Sequence, residues 1–244
     1  EVTCQNGGDE FRPDIVIFIN GLPLSYIEVK QPNAIRDGKT AIQSEQSRTA
    51  VRFENRRFRR FNNITQLISF SDNLPYISGQ GQQKQGSFYC SNAFSKTKFN
   101  AFKEEREEAL IYSIRSLGEE EIDAVLKDVN RFALKSQPEF KTNQDPSTPC
   151  NTFISSLYQK ERLLFLLRYG LAYVEEHSKD GTIQLQKHVM RYPQFFATNA
   201  IEDAIGKGVK KGVIWHTQGS GKTALSYFNI RYLTNYFSKQ GIVP

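Results

Sequence analysis

The chain has 244 residues, of which 39% are hydrophobic and 24% charged, a composition that excludes collagen-like, low-complexity and wholly disordered classes. Its 32 Lys and Arg against 26 Asp and Glu give a formal charge of +6, which favours polyanionic partners. No apolar run reaches the roughly 20 residues of a membrane span, so we expect no membrane partner. The three isolated cysteines indicate neither a disulfide framework nor a zinc site, which favours a cytoplasmic protein.

The first predicted elements form a β-hairpin. Residues 13–19 are a short apolar run suited to a buried strand, Asn20-Gly21 is a strong hairpin turn, and residues 24–30 read as the returning strand. Apolar and polar residues alternate at the end of the second strand, which places Glu28 and Lys30 on one face.

A helix is predicted over residues 40–53, a third strand over 66–71 and a short fourth strand over 76–78, followed by an exposed loop over 79–86. A basic cluster lies between the helix and the third strand. It contains Arg56, Arg57, Arg59 and Arg60, with Phe58 and Phe61 among them. These arginines can grip DNA phosphates, or they can be the solvated edge of a helix whose phenylalanines face the core.

The middle of the chain is predicted to be mainly helical. Its apolar spacing indicates helices over 103–117, 119–132, 157–171 and 195–205, a polar connector over 136–148, and a hairpin over 170–190 that turns at 178–181.

The hairpin brings together residues suited to a divalent cation. Asp14 opens the first strand and Glu28 lies on the second, so the two carboxylates can hold Mg²⁺, with the Val29 carbonyl as a further ligand. Lys30 can orient or help to deprotonate an attacking water and stabilise charge on a phosphate. The alternative is an ordinary hairpin with a surface Glu–Lys pair.

The strongest motif is a Gly-rich loop after the apolar residues 213–215, which are predicted to be a strand. The loop is followed by a helix pattern, as in phosphate-binding loops whose backbone N–H groups surround a nucleotide. Its candidate ATP ligands are Gly219, Ser220, Gly221, Lys222 and Thr223. Lys222 is expected to reach the β- and γ-phosphates and Thr223 to ligate Mg²⁺. His216 stands where the full pattern has a first Gly, and a Gly-rich surface loop is the alternative.

Two resemblances follow from these motifs. Pro13-Asp14 and Glu28-Val29-Lys30 resemble the PD-(D/E)xK nuclease signature. Many such nucleases carry a Gln and a Tyr four residues apart on the next helix. Here Gln43 and Gln46 are followed at that distance by Ser47 and Ala50, which leaves the role of either Gln open.

The segment RYPQFFA at 191–197 resembles the adenine-reading segment of superfamily 2 helicases, with Gln194 as the reader. Together with RPDIVIFINGLPLSYIEVKQP at 12–32 and GVIWHTQGSGKT at 212–223, it makes the chain similar to the N-terminal part of the restriction (motor) subunit of type I restriction-modification enzymes. The resemblance implies an α/β protein: a PD-(D/E)xK-type nuclease domain with a mixed central sheet and an appended helical section over 1–185, then the start of a RecA-like motor lobe over 186–244.

The same resemblance implies Mg²⁺-dependent cleavage of duplex DNA, ATP-driven translocation, and methylation and specificity subunits as partners. Only 21 residues follow Thr223, so we expect this stretch alone not to hydrolyse ATP. Two other functions remain open: another nuclease–helicase fusion in repair or single-chain restriction, and a non-cleaving ATP-dependent DNA-binding or remodelling protein.

Overall fold

The structure, a computed structural model, describes residues 2–77, 85–91, 97–106, 117–177 and 180–242. Its strands are β1 (Cys4–Asn6), β2 (Asp9–Phe11), β3 (Ile15–Ile19), β4 (Leu22–Val29), β5 (Ile35–Arg36), β6 (Lys39–Thr40), β7 (Leu67–Ser71), β8 (Ser87–Cys90), β9 (Asn100–Ala101), β10 (Leu171–His177) and β11 (Ile183–Val189). Its α-helices are α1 (Ala41–Glu54), α2 (Arg59–Ile64), α3 (Glu119–Asp128), α4 (Pro138–Asn143), α5 (Pro149–Leu157), α6 (Lys160–Tyr169), α7 (Tyr192–Gly206) and α8 (Lys222–Lys239). Residues Arg56–Phe58 and Phe132–Ser136 form 3₁₀ turns.

A five-stranded mixed sheet with the order β3-β4-β7-β8-β9 forms the centre of the fold. The predicted hairpin is confirmed: β3 and β4 pair antiparallel, with Ile15 opposite Ile27. Asn20 and Gly21 both have positive φ angles, of 50° and 79°, which is what a two-residue turn of the I′ type requires.

The predicted first helix is also confirmed and connects β4 to the parallel strand β7. Thr40 begins α1 with a capping box, in which its hydroxyl accepts from the Gln43 backbone N–H and the Gln43 side chain accepts from the Thr40 N–H. Because β4 and β7 run in the same direction, their ends meet at one edge of the sheet, where the Lys30 N–H donates to Ser71 O at 2.8 Å.

Helices cover both faces of the sheet. On one face a cluster of Phe11, Tyr26, Phe58, Ile68 and Cys90 packs with α1 and α2. On the other face lies the larger core, which runs from the sheet through α5 and α6 to α7 and α8. Its buried members are Leu67, Tyr89, Phe102, Phe153, Leu157, Leu163, Leu166, Leu171, Ala172, Val189, Met190, Phe195, Phe196 and Phe228.

A buried hydroxyl network ties the second face to the sheet. The Tyr158 hydroxyl lies 2.9 Å from Ser25 Oγ on β4 and donates to Ser69 Oγ on β7 at 2.8 Å. Ser25 in turn donates to the Leu67 carbonyl. The helical section is therefore held to the strand that carries Glu28.

Several predicted elements differ from the structure. The fourth strand is wrong: Tyr76 and Ile77 are in irregular structure after a bend at Asn73 and Leu74. Asp72 anchors that bend by accepting from the Leu74 and Gly86 N–H groups, and the fourth strand in sequence of the central sheet is β8. Ser78 and residues 79–84 of the predicted loop lie outside the described residues. The polar connector at 136–148 contains the short helix α4.

The helix over 103–117 is wrong for its described residues, 103–106 and 117, because the Glu104 carboxylate is drawn into a buried ion pair with Arg162 at 2.6 Å. The strand over 213–215 is also wrong. Val213 and Trp215 are 91% and 90% exposed, and no strand of the described chain lies beside them to take their backbone hydrogen bonds.

The later hairpin is confirmed as β10 and β11, although Ser178 and Lys179 of its turn lie outside the described residues. The mixed sheet with flanking helices confirms the predicted α/β class. The nuclease-type fold, the RecA-like lobe and the boundary at 185 stay predictions, and that boundary falls within β11. Within the described ranges, no helix is long and apolar enough to cross a membrane.

Candidate functional site

Asp14, Glu28 and Lys30 meet at the edge of the sheet where β3 begins and β4 ends. Asp14 directly precedes β3 and is half-exposed, and its Oδ2 accepts from the Val29 N–H at 2.8 Å. Glu28 points to the opposite face of β4 from Val29 and is only 3% exposed. Lys30 Nζ lies 2.7 Å from Glu28 Oε2 and 3.7 Å from Asp14 Oδ2, so a single ammonium contacts both carboxylates.

Two further residues of this site were not predicted. Glu45, on α1, is 1% exposed, and its Oε2 lies 3.4 Å from Lys30 Nζ. Arg52, two helical turns further along α1, donates from Nη1 to Glu45 Oε1 at 3.0 Å and to Glu28 Oε1 at 3.3 Å. Ile42, Glu45, Thr49 and Arg52 are spaced as the inner face of a helix. Glu45 and Arg52 could have been predicted from the sequence, because they are two charged residues on the inner face of the helix that follows the Glu-Val-Lys strand.

The charges of the site keep Lys30 protonated. Burial by itself lowers the pKa of Lys30, but the hydrogen bond to Glu28 and the charges of Glu45 and Asp14 outweigh burial and raise the pKa above its ordinary value. Lys30 is therefore a hydrogen-bond donor and a positive charge among these carboxylates. Its roles toward an attacking water and a phosphate stay predictions.

The donor set suits a hard cation. Carboxylate oxygens are the ligands that Mg²⁺ takes in proteins, and it commonly uses one or two of them together with phosphate and water. Asp14 Oδ2 and Glu28 Oε2 both lie within 3.7 Å of one point, Lys30 Nζ. In the described part of the chain, no three Asp, Glu, His or Cys side chains already stand at metal-binding spacing, so the two predicted carboxylates are the starting set. The Val29 carbonyl stays a predicted ligand.

The open question of Gln43 and Gln46 is partly resolved by the helix cap. Gln43 uses its side-chain oxygen to accept from the Thr40 N–H, and its carbonyl accepts from the Ser47 hydroxyl. Gln43 therefore stabilises the start of α1, the helix that carries Glu45 and Arg52. Gln46 is half-buried and no role follows from its position.

The Gly-rich loop ends in a helix, as predicted. Gly219 and Gly221 have φ angles of 76° and 85°, a left-handed conformation that side chains with a Cβ rarely adopt. Gly221 begins α8, and Lys222 folds back so that Nζ donates to the carbonyls of His216 and Thr217 at 3.0 and 3.2 Å. Lys222 must exchange these two bonds for phosphate oxygens if a nucleotide binds.

Gln194 contacts the loop directly. It is buried in the first turn of α7, its Nε2 donates to Gly221 O at 2.8 Å, and its Oε1 accepts from the Arg191 N–H at 2.9 Å. Gln194, Gly221 and Thr223 also line a cavity of about 510 Å³. Because both ends of the amide already have protein partners, adenine reading by Gln194 stays a prediction that requires this amide to change partners.

The basic cluster is divided by the fold. Phe58 is buried against Phe11, with ring centroids 5.0 Å apart, while Arg57 forms an ion pair with Asp9 at 3.1 Å. Arg56, Arg59 and Arg60 are exposed at the start of α2 and in the turn before it. DNA binding by the four arginines stays a prediction; all four are exposed, and Arg57 already forms an ion pair with Asp9.

Comparison with known proteins gives two family matches. Residues 1–108 match the family described as the type I restriction enzyme R protein N terminus, and residues 193–243 match the SWI2/SNF2 ATPase family. The first match contains the hairpin site and the second contains the Gly-rich loop. No solved structure matches the chain.

Curated relatives agree with the first match. The chain is 41% identical over 88 residues to a putative type I restriction enzyme MjaVIIP endonuclease subunit of Methanocaldococcus jannaschii, a match that covers 33% of this chain and 8% of the relative. It is 27% identical over 235 residues to the type I restriction enzyme HindI endonuclease subunit of Haemophilus influenzae, which covers 93% of this chain and 17% of the relative. The chain thus spans less than a fifth of the length of the curated relatives it matches. These matches confirm the resemblance to the N-terminal part of a restriction subunit.

Proposed function

We propose that this chain, which carries the N-terminal domain of a type I restriction enzyme R protein over residues 1–108, contains the DNA-cleaving site of a restriction subunit. The reaction is Mg²⁺-dependent hydrolysis of a phosphodiester bond in duplex DNA. In the longer protein, cleavage is coupled to ATP-driven translocation, and the subunit works with methylation and specificity subunits. The match of residues 193–243 to an ATPase family supports the nucleotide site.

The convergence of Asp14 and Glu28 on the Lys30 ammonium carries the proposal, because a nuclease needs a cation site and a positive donor beside one phosphate. Asp14 and Glu28 hold the cation. Mg²⁺ supplies Lewis acidity toward the scissile phosphate and lowers the pKa of a bound water. Lys30 donates to the attacking water or to a phosphate oxygen, and it offsets the negative charge that develops as water adds and the phosphorus–oxygen bond to the leaving sugar breaks.

The nucleotide half of the proposal rests on the loop before α8. Gly219 and Gly221 allow the loop to present its backbone N–H groups, and the first turn of α8 adds partial positive charge. Lys222 moves from the His216 and Thr217 carbonyls to the β- and γ-phosphates, Ser220 lies within the phosphate cradle, and Thr223 ligates Mg²⁺. Gln194 recognises adenine beside them.

Cleavage of supercoiled plasmid DNA by the purified chain with Mg²⁺ tests the nuclease proposal. Lys30→Ala should lower the nicking rate on the order of 100-fold or more, because a charge-stabilising donor is removed, while DNA binding measured by fluorescence anisotropy is retained. Lys135→Ala is the matched control, since Lys135 pairs with Glu119 and Asp123 on α3, outside the hairpin, and its removal should leave nicking unchanged.

Two outcomes would contradict the proposal. Nicking that persists at the wild-type rate in Lys30→Ala would mean that the hairpin is structural. A wild-type chain that binds DNA but never nicks it with Mg²⁺ or Mn²⁺ would favour the non-cleaving DNA-binding alternative.

A further inference from the structure

One arginine holds two buried carboxylates in a fixed orientation. Arg52 Nη1 donates to Glu45 Oε1 and Glu28 Oε1, which directs the second oxygen of each glutamate away from Arg52. The guanidinium itself is constrained, because it lies 4.8 Å from the ring centroid of Phe11. The Arg52 carbonyl also accepts from Asn62 Nδ2 at 2.9 Å, which fixes this end of α1.

The second oxygens of both glutamates face Lys30. Glu28 Oε2 accepts from Lys30 Nζ at 2.7 Å, whereas Glu45 Oε2 lies 3.4 Å from Nζ and accepts no hydrogen bond within the described structure. Arg48 Nη1 lies 3.8 Å from the same oxygen, beyond hydrogen-bond distance, and Glu45 is only 1% exposed. A buried carboxylate oxygen without a donor costs free energy, and such groups are often retained for a functional reason.

We propose that Glu45 supplies a third carboxylate oxygen to the divalent cation, and that Arg52 is the positioning residue which holds Glu28 and Glu45 for it. This inference rests on the proposed nuclease function for the identity of the cation. Glu45 Oε2, Glu28 Oε2 and Asp14 Oδ2 all lie within 3.7 Å of Lys30 Nζ, so a cation that binds them competes with the ammonium for the same oxygens. The three carboxylates do not stand at metal-binding spacing in the described structure, so they must draw closer together around the cation. Lys30 is thereby free to turn toward the phosphate when the cation binds.

The competing explanation is that Glu45 and Arg52 form a structural ion pair that anchors α1 to β4. The two explanations predict opposite changes in cation affinity when Arg52 is replaced. Removing a positive charge beside a metal site strengthens cation binding by Coulomb's law if Arg52 is only a neighbouring charge. If Arg52 positions two ligands, its removal weakens binding instead, as replacement of residues that orient metal ligands typically does by about 10- to 100-fold.

Titration of the chain with Mn²⁺ by isothermal calorimetry tests the inference without reference to cleavage. Glu45→Gln keeps the size of the side chain and a carbonyl oxygen for Arg52, and we expect it to weaken Mn²⁺ binding by about tenfold or more. Glu54→Gln, at the exposed end of the same helix, is the control and should bind as the wild type does. Arg52→Gln should also weaken binding, and Arg52→Lys, which keeps the charge, should fall between Arg52→Gln and the wild type. Thermal melting shows that each variant is folded.

Wild-type Mn²⁺ affinity in Glu45→Gln, or tighter binding in Arg52→Gln, overturns the inference. If Arg52→Gln does not fold, the Glu45→Gln titration decides alone. Asp14→Asn separates this inference from the proposed function: weaker binding in Asp14→Asn with unchanged binding in Glu45→Gln leaves the nuclease site and removes only the third ligand. A wild-type chain that binds no Mn²⁺ removes both.

Discussion

Replacing Gly221 by Ala tests how the Gly-rich loop is held before a nucleotide binds. A Cβ built on Gly221 lies 2.5 Å from Gln194 Nε2, while a Cβ on Gly219 meets nothing within 4 Å. Both glycines have positive φ, so both substitutions carry the cost of a left-handed conformation, about 1–2 kcal/mol. Gly219→Ala is therefore a matched control, because it carries the same cost of a left-handed backbone without a contact to Gln194.

The difference between the two variants comes from the Gln194 amide. This amide is the flexible end of a side chain, so it can move aside, but it then gives up its 2.8 Å bond to Gly221 O in a buried position. Leaving a buried donor unpaired costs about 1–3 kcal/mol. We expect Gly221→Ala to be less stable than Gly219→Ala by that amount, which corresponds to roughly 2–4 °C in melting temperature per kcal/mol for a chain of this size.

Thermal unfolding followed by circular dichroism, repeated in a Gln194→Ala background, measures this coupling. With the amide removed, the extra cost of Gly221→Ala should disappear, and the double-mutant cycle gives the interaction energy directly. Equal destabilisation in Gly219→Ala and Gly221→Ala, or an excess that survives in the Gln194→Ala background, would refute the contact between Gln194 and the loop.

Two further predictions concern three exposed arginines and one partly buried lysine. Replacing Arg56, Arg59 and Arg60 together by Ala should weaken DNA binding and flatten the plot of log affinity against log salt by up to about 0.9 for each phosphate that is no longer neutralised, as measured by fluorescence anisotropy; an unchanged slope removes their DNA-binding role. Burial lowers the pKa of Lys187 from 10.5 to about 8, so between these pH values the unfolded chain keeps a proton that the folded chain has released. The free energy of unfolding should therefore rise with pH more steeply in the wild type than in Lys187→Met when both are unfolded in urea, and parallel pH profiles would contradict the effect of partial burial on this lysine.

Local patterns predicted the parts of the fold that depend on neighbouring residues. The β3–β4 hairpin follows from a two-residue turn and two apolar runs, and α1 follows from its spacing and its Thr40 cap. The predicted convergence of Asp14, Glu28 and Lys30 depends only on the alternation of side chains along paired strands, and the distances show that these three side chains meet.

Elements decided by distant contacts were not predicted. Glu104 leaves a helical pattern because Arg162, on α6, binds its carboxylate, and residues 213–215 have strand-like composition without a neighbouring strand in the described chain. Glu45 was missed for a similar reason. Its place in the site depends on the crossover that lays α1 over β4, which a pattern in either element alone does not specify.

The central claim is that Asp14 and Glu28 share a divalent cation beside Lys30. Its most direct test is an anomalous difference map from crystals of the chain soaked in Mn²⁺. The claim predicts a peak in direct contact with the Asp14 and Glu28 carboxylates, together with separation of Lys30 Nζ from Glu28 Oε2 beyond their present 2.7 Å. A map with no peak at the start of β3, and with the Lys30–Glu28 ion pair intact at saturating Mn²⁺, would contradict it.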